Sequence, residues 1–146
     1  DLWFRGHLSA ALSTLEGAPG SRALRTRLRS QLAMMSPGFH LPRLSPSPGW
    51  TVPDPGEPLR VLHLLTSSLP HTQSGYTVRS HALLQAQSSA GIDVRAVTRI
   101  GYPVIIGRPA AQATDVVDAV TYRRLLPART QAAPIARLAQ MSRLLP

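Results

Sequence analysis

The sequence predicts an α/β protein in which a helical arm and a proline-rich linker precede a partial parallel sheet. Three observations predict this class. Leucines recur at helical spacing within the first 35 residues, and seven of the 14 prolines fall between residues 36 and 58. After residue 58, short apolar runs alternate with a helical pattern. A strand, a helix and a second strand in this order form a right-handed crossover with parallel strands.

The composition excludes several classes of protein. The 146 residues include 16 Arg, seven acidic residues and no Cys, for a net charge of +9. The absence of cysteine excludes disulfide scaffolds, cysteine zinc sites and thiol nucleophiles. The chain also has neither Lys nor Asn, which indicates a GC-rich, bacterial coding bias. No apolar run approaches the roughly 20 residues that span a bilayer. We expect a cytoplasmic protein, with peripheral association with a membrane as the alternative.

The arm, residues 1–35, reads as two helices separated by a break at residues 17–20. Ser21 is placed to cap the second helix. One stripe of this helix is apolar and another is basic: Leu24, Leu28, Leu32 and Met35 against Arg22, Arg25 and Arg29. Two interpretations remain open. The helix can face a core with its basic side in water, or it can lie on the surface of an anionic membrane.

The linker, residues 36–58, is predicted to be extended, because proline fixes φ and removes a hydrogen-bond donor. Trp50 and Val52 are candidates for docking it onto a neighbour. We therefore predict three segments: the arm (1–35), the linker (36–58) and a partial Rossmann-like domain (59–146).

The domain is built from strands near 60–65, 92–98 and 119–123, which we expect in one parallel sheet. Runs as apolar as the first are typical of strands buried on both faces. A helix over 76–90 joins the first two strands, and Gly91 ends it as a left-handed cap. Residues 99–114 are predicted to be irregular. Asp115 and Asp118 are interpreted as polar residues that mark the boundary before the third strand. Pro134 is placed to begin a final helix.

The loop after the first strand holds the candidate binding residues. In open α/β sheets, ligands bind beyond the carboxyl ends of the strands. Free N–H groups at the start of the helix attract an anion, and an arginine one turn later can reach the same ligand. The candidates are Ser74, Gly75, Tyr76 and Arg79. The alternative is an ordinary loop-to-helix junction with a solvated arginine.

Other chemistry finds no support in the sequence. Neither the dinucleotide fingerprint nor the P-loop pattern is present. His63, His71 and His81 match no metal-ligand spacing, so we assign no metal and no cofactor, and we identify no catalytic residue.

An ordered set of motifs in residues 58–126 resembles the start of a family 4-type glycosyltransferase. The motifs are the strand Arg60-Val61-Leu62-His63-Leu64-Leu65, then Ser68-Leu69-Pro70, Ser74-Gly75-Tyr76-Thr77-Val78-Arg79-Ser80-His81, Gly91-Ile92-Asp93-Val94 and Thr98-Arg99-Ile100-Gly101-Tyr102-Pro103. The segment is similar to the N-terminal, acceptor-side domain of the GT-B fold, and it would form about half of that domain.

This resemblance implies transfer of a sugar, with retention of configuration, from a nucleotide-sugar donor to a sugar or lipid-linked acceptor. It also implies that Ser74 and Gly75, with Arg79 nearby, approach the diphosphate or the acceptor. Family members often carry two glycines here, whereas this chain has Ser74. The Glu-x7-Glu element of the donor domain has no counterpart, since the only glutamates are Glu16 and Glu57. We therefore expect a fragment that is inactive alone.

Two other functions remain as alternatives. One is a non-catalytic α/β binding or interaction module with a basic helical arm, which could contact a membrane peripherally. The other is an arginine-rich nucleic-acid binder, and it is the less favoured because the arginines are spread along the chain.

Overall fold

The computed structural model describes residues 2–41 and 54–145, which form two compact units. The N-terminal unit contains residues 2–41 together with Arg129–Arg143, and the sheet unit contains residues 54–128 together with 144–145. The elements, in chain order, are α1 (Leu8–Thr14), α2 (Arg22–Met35), β1 (Arg60–Leu65), α3 (Gly75–Ser89), β2 (Asp93–Thr98), a 3₁₀ turn (Val104–Ile106), β3 (Thr114–Val117), β4 (Val120–Arg123) and α4 (Pro134–Leu144).

The predicted domain boundaries at residues 35 and 58 stay a prediction, because most of the linker, 42–53, with Trp50 and Val52, lies outside the described residues. One difference from the predicted segments is visible. Contacts group Arg129–Arg143 with the N-terminal helices, whereas the sequence assigned these residues to the sheet domain.

The N-terminal unit packs α1 against α2, with Leu28 almost completely buried. Ser30 is also buried, and its hydroxyl accepts the Ile135 N–H in the first turn of α4 at 2.9 Å.

Ser21 precedes α2 as expected, but it is not a side-chain cap. Its backbone is helical and its hydroxyl donates to Ala18 O at 2.7 Å, so the side chain stabilises the preceding turn instead. None of the described helices is long and apolar enough to cross a membrane.

The three predicted strands do form one parallel arrangement. The strand order is β1-β2-β4-β3, with β1 parallel to β2 and β2 parallel to β4. The carboxyl ends of β1, β2 and β4 therefore meet at one edge of the sheet, which we call the carboxyl edge. The structure is thus α/β with a mostly parallel open sheet of four strands.

The fourth strand, β3, was not predicted. It pairs with β4 in an antiparallel hairpin, and the two-residue turn consists of Asp118 (φ 45°) and Ala119 (φ 65°). Two positive φ angles are characteristic of a type I′ turn, which usually carries Asn-Gly or Asp-Gly. Because Ala119 stands where glycine is usual, the hairpin lacked its sequence signal. Asp115, interpreted as punctuation, lies within β3.

The ends of α3 explain why the crossover is well defined. Ser74 Oγ accepts the Thr77 N–H at 3.3 Å, and Thr77 Oγ1 accepts the Ser74 N–H at 2.8 Å, which forms a capping box with threonine in place of the usual glutamate. At the other end Gly91 has φ 80°, and the Ile92 N–H donates to Gln87 O at 3.1 Å. The predicted left-handed glycine cap is confirmed.

The core of the sheet unit lies between α3 and one face of the sheet. It is formed by Leu65, Leu84, Ala96 and Tyr122. The expectation that β1 is buried on both faces is wrong, because exposure alternates along it and Leu62 and Leu64 are 44% and 47% exposed. An apolar run predicts a strand, but it does not reveal whether a second layer covers its other face.

Candidate functional site

The loop after β1 leads into α3 at Ser74 and Gly75. Some of its hydrogen-bonding groups are used by the helix cap, and others have no partner among the described residues. Ser74 uses both its hydroxyl and its N–H in the capping box. The N–H groups of Gly75 and Tyr76 have no acceptor in the described part of the chain. A Cβ built on Gly75 would meet nothing within 4 Å. The two free N–H groups therefore lie beside open space, whereas the Ser74 side chain is committed to the helix cap.

Tyr76 and Arg79 differ in how they are held. The Tyr76 hydroxyl accepts the Thr66 N–H at 3.3 Å, so the ring is tied to the loop directly after β1 although it is 46% exposed. Arg79 is exposed, and among residues 2–41 and 54–145 its guanidinium has no hydrogen-bond or ion-pair partner. An unpaired guanidinium one turn into a helix remains available to an anionic ligand.

A second group of polar residues meets at the carboxyl edge, and sequence reasoning missed it. Its centre is Arg124, which directly follows β4 and whose side chain is 0% exposed. Arg124 Nε donates to Asp115 Oδ2 at 2.8 Å, and one terminal nitrogen donates to Leu69 O at 2.8 Å. The other terminal nitrogen donates to Ser68 Oγ. We call these residues, with His71, the arginine network.

Two aromatic rings flank the guanidinium of this network. The Arg124 Cζ atom lies 5.5 Å from the ring centre of Tyr102 and 5.2 Å from that of Tyr122. Both tyrosines are fully buried. A delocalised cation between aromatic faces is stabilised by the ring quadrupoles in addition to its hydrogen bonds. Every strand that ends at this edge thus contributes, directly or through the following loop, to holding Arg124.

Tyr102 also joins the loops that follow β1 and β2. Its hydroxyl lies 2.7 Å from Ser68 O and 2.8 Å from Thr72 Oγ1, and it accepts the Ser68 N–H at 3.2 Å. Ser68 therefore bonds both Tyr102 and Arg124. The result is a loop whose backbone is fixed at the carboxyl edge just before the start of α3.

His71 is a partly exposed member of this network. Its Nε2 atom lies 2.9 Å from Asp115 Oδ2, and its side chain is 18% exposed. Burial alone would raise the pKa of Asp115, but hydrogen bonds and charge from Arg124 and His71 outweigh it and lower the pKa below its usual value. The carboxylate is therefore ionised and only accepts, so Nε2 carries the hydrogen. In the neutral ring, Nδ1 then holds the lone pair.

A cleft of about 460 Å³ lies beside His71. Its walls are Pro70 and His71 on one side and Gly107, Arg108, Pro109, Ala110 and Ala111 on the other. Gly107 has φ 84°, a left-handed conformation that ends the 3₁₀ turn and directs the chain along the cleft. The cleft is thus formed by loops after β1 and β2, where ligands bind in open α/β sheets.

The three histidines considered as metal ligands have separate partners. His63 Nε2 lies 2.7 Å from Gln87 Oε1, and His71 bonds Asp115. His81 is buried, with Nδ1 2.7 Å from the Tyr122 hydroxyl and Nε2 3.2 Å from Asp118 Oδ2. Burial raises the pKa of Tyr122, so the phenol beside His81 keeps its proton. Within the described residues no group of three or more His, Asp or Glu could hold a metal.

The sequence contained only part of the signal for this site. Arg124 bonds residues 9, 55 and 56 positions away, and no local spacing predicts such pairs. The position of Arg124 directly after a predicted strand was a usable signal, because side chains there reach the carboxyl edge.

Chemically, the carboxyl edge offers two kinds of contact. His71 can accept a hydrogen bond from a hydroxyl group through Nδ1, while the backbone N–H groups of Gly75 and Tyr76 and the guanidinium groups of Arg79 and Arg108 can only donate to an acceptor. None of the predicted site residues Ser74, Gly75, Tyr76 and Arg79 lines the cleft beside His71, so the two kinds of contact share the carboxyl edge but not the cleft. No protein family, no curated protein and no solved structure matches the chain.

Proposed function

We propose that the sheet unit is part of the acceptor-side domain of a retaining glycosyltransferase, which moves a sugar from a nucleotide-sugar donor to a sugar or lipid-linked acceptor. The observation that carries the proposal is the pairing of His71, oriented by Asp115 and Arg124, with a cleft at the carboxyl edge. The resemblance of residues 58–126 to family 4-type glycosyltransferases supports it independently.

The residues divide by the chemistry they can supply. We assign the Gly75 and Tyr76 N–H groups and the Arg79 guanidinium to an anionic group, the donor's diphosphate or a phosphate of the acceptor. We assign His71 Nδ1 to a hydroxyl group of a sugar. These groups bind and orient the substrates, and we name no catalytic residue among them.

The reaction itself is a substitution at the anomeric carbon. The acceptor oxygen forms a bond to that carbon, and the bond from the carbon to the diphosphate breaks with its electron pair on the departing nucleoside diphosphate. The hydroxyl proton of the acceptor leaves with that diphosphate. Cations and N–H groups near the diphosphate stabilise the charge that develops there.

The proposal is tested by titrating the 146-residue chain with UDP-glucose and GDP-mannose and following backbone amides by NMR. We expect shifts centred on Gly75 and Tyr76. Arg79→Ala should weaken binding about tenfold, because a charge-assisted hydrogen bond contributes about 1.5–3 kcal/mol. Gly75→Val should also weaken it, since its branched side chain occupies the open space beside the free N–H groups.

Arg60→Ala is the matched control, because Arg60 is exposed and begins β1 at the opposite edge of the sheet. Thermal melts of all variants should coincide. The proposal fails if no amide near Gly75 shifts at ligand concentrations up to about 10 mM, where a site with Kd near 1 mM is mostly occupied. That result would favour the non-catalytic module, with the loop serving as a structural junction.

A further inference from the structure

The positive charge of the chain is concentrated in the N-terminal unit. Its described residues include one acidic side chain, Glu16, and eight arginines: Arg5, Arg22, Arg25, Arg27, Arg29, Arg129, Arg137 and Arg143. The described residues of the sheet unit are more balanced, with seven arginines against five acidic side chains. Charge asymmetry of this kind indicates a polyanionic partner for the basic unit.

The same unit exposes an aromatic side chain beside one of these cations. Phe4 is 89% exposed and stacks on Trp3 with 5.7 Å between the ring centres. The Arg27 Cζ atom lies 4.4 Å from the centre of the Trp3 ring. The turn that carries both rings is closed by the Gly6 N–H donating to Trp3 O at 3.0 Å and by the His7 N–H donating to Leu2 O at 2.9 Å. We call residues 2–6 the aromatic turn.

An apolar crevice of about 230 Å³ lies behind the aromatic turn. It is lined by the aromatic turn, by the end of α1 and by two leucines of α2: Leu2, Trp3 and Phe4, then Ala11, Thr14 and Leu15, then Leu24 and Leu28. Leu28, which lines the crevice, is 1% exposed, so the crevice reaches the packed interior of the unit. The two backbone hydrogen bonds of the aromatic turn and the contact of Trp3 with Arg27 hold Phe4 at the surface.

The chemistry of the patch distinguishes between polyanions. A nucleic-acid site stacks bases on free aromatic faces. Among the described tryptophan and phenylalanine rings of the N-terminal unit Phe4 alone is exposed, whereas the Trp3 ring already contacts Arg27 and Phe4, so the unit offers one apolar ring and no row of rings for successive bases. An exposed phenylalanine next to arginines instead suits the interface of an anionic bilayer, where the ring enters the acyl region and guanidinium groups meet lipid phosphates.

We propose that the N-terminal unit binds the surface of an anionic lipid bilayer, with Phe4 inserted among the acyl chains and Arg27 at the headgroups. The remaining arginines contribute long-range attraction, which acts over the Debye length of about 8–10 Å at physiological salt. This inference goes beyond sugar transfer and rests on different residues, so either proposal can fail without the other.

The test is sedimentation of the full chain with vesicles of phosphatidylcholine alone or mixed with phosphatidylglycerol. We expect binding only to the anionic vesicles, and we expect added salt to weaken it. Trp3 supplies a second readout, because Trp50→Phe leaves it as the only tryptophan. Its emission should shift to the blue when anionic vesicles are added, as its ring enters a less polar environment.

Variants separate the two contributions to binding. Phe4→Ser should weaken vesicle binding about tenfold or more, since burying an aromatic side chain contributes about 1.5–3 kcal/mol. Arg27→Gln should weaken it less, by about fivefold, since each basic residue near the surface contributes about 1 kcal/mol. The matched controls are Val116→Ser, at a position 66% exposed in the sheet unit, and Arg60→Gln. Both should bind as the parent does.

Three outcomes would overturn the proposal. The first is equal binding to neutral and anionic vesicles. The second is equal loss of binding in Phe4→Ser and Val116→Ser. The third is that a DNA duplex releases the protein from vesicles and binds the parent and Phe4→Ser with equal affinity. A nucleic-acid partner would then account for the positive charge of the unit. Because Phe4 is exposed, Phe4→Ser should melt with the parent protein.

Discussion

Arg124 is a buried cation. The hydrogen bonds, the ion pair and the ring contacts that stabilise its charge come from separate segments of the chain. Its partners lie on β3 and in the loop after β1, and two tyrosine rings flank it. Removing one member of a buried ion pair usually costs more than the pair contributes, because the remaining charge stays desolvated. The stability of the sheet unit should therefore depend strongly on this one side chain.

We expect Arg124→Met to lower the free energy of unfolding by about 3–5 kcal/mol, because Asp115 would keep its largely buried charge with His71 as its one remaining side-chain partner, and Ser68 and Leu69 would lose their hydrogen-bond donor. The measurement is urea unfolding followed by circular dichroism. Arg123→Ala is the control, since its exposed neighbouring side chain should change stability by no more than about 0.5 kcal/mol. Equal effects of the two substitutions would contradict the assigned role of Arg124.

Asp115 gives the network a dependence on pH. Its pKa is lowered in the folded state, so its contribution to stability is complete above the unfolded pKa of about 3.9 and is lost as the pH falls through the lower folded value. Asp115→Asn lacks this contribution at every pH. The gap in melting temperature between the parent and Asp115→Asn should therefore shrink from about pH 6 towards about pH 2.

The exposed Asp54→Asn should show no such change of gap. A gap between parent and Asp115→Asn that stays constant over the whole acid range would mean that the carboxylate does not titrate with the network.

In the part of the chain that the structure describes, the non-glycine residues with positive φ both lie in the turn of the β3–β4 hairpin. Ala119 has φ 65°, a conformation that costs a residue with a Cβ about 1 kcal/mol or more. Ala119→Gly should relieve this strain and raise the free energy of unfolding by about 1 kcal/mol. Ala110→Gly, at an exposed loop position without positive φ, should instead lower stability slightly. Thermal melts compare the stability of the two variants with that of the parent. A loss of stability in both variants would contradict the assignment of strain to Ala119.

The elements that were predicted correctly are those with a local sequence signal, either a residue that ends or begins a helix or an apolar run. Gly91 ends α3, Pro134 begins α4, and the apolar runs mark β1 and β2. Where such a signal was absent or misleading, the prediction missed the element or assigned the wrong role to a residue. The β3–β4 turn has alanine at a glycine position, and Ser21 takes a helical backbone that prevents its side chain from capping α2.

At the scale of the whole molecule, the sequence predicted where the loop at the start of α3 lies, but it did not predict the arginine network. The start of α3 follows from a strand, a loop and a helix that are contiguous in the chain. The arginine network depends on which segments meet after folding, and its partners are up to 56 residues apart. The concentration of charge in the N-terminal unit was hidden for the same reason, since Arg129–Arg143 joins it only through tertiary contacts.

The open space beside Gly75 also makes the candidate site accessible to chemical labelling. The chain has no cysteine, so Gly75→Cys would introduce a unique thiol at a position where a Cβ meets nothing within 4 Å. A thiol at the start of a helix has a lowered pKa and reacts readily at neutral pH. A spin label or a small fluorophore attached there would report ligand arrival at the carboxyl edge directly, without any need for an assay of turnover.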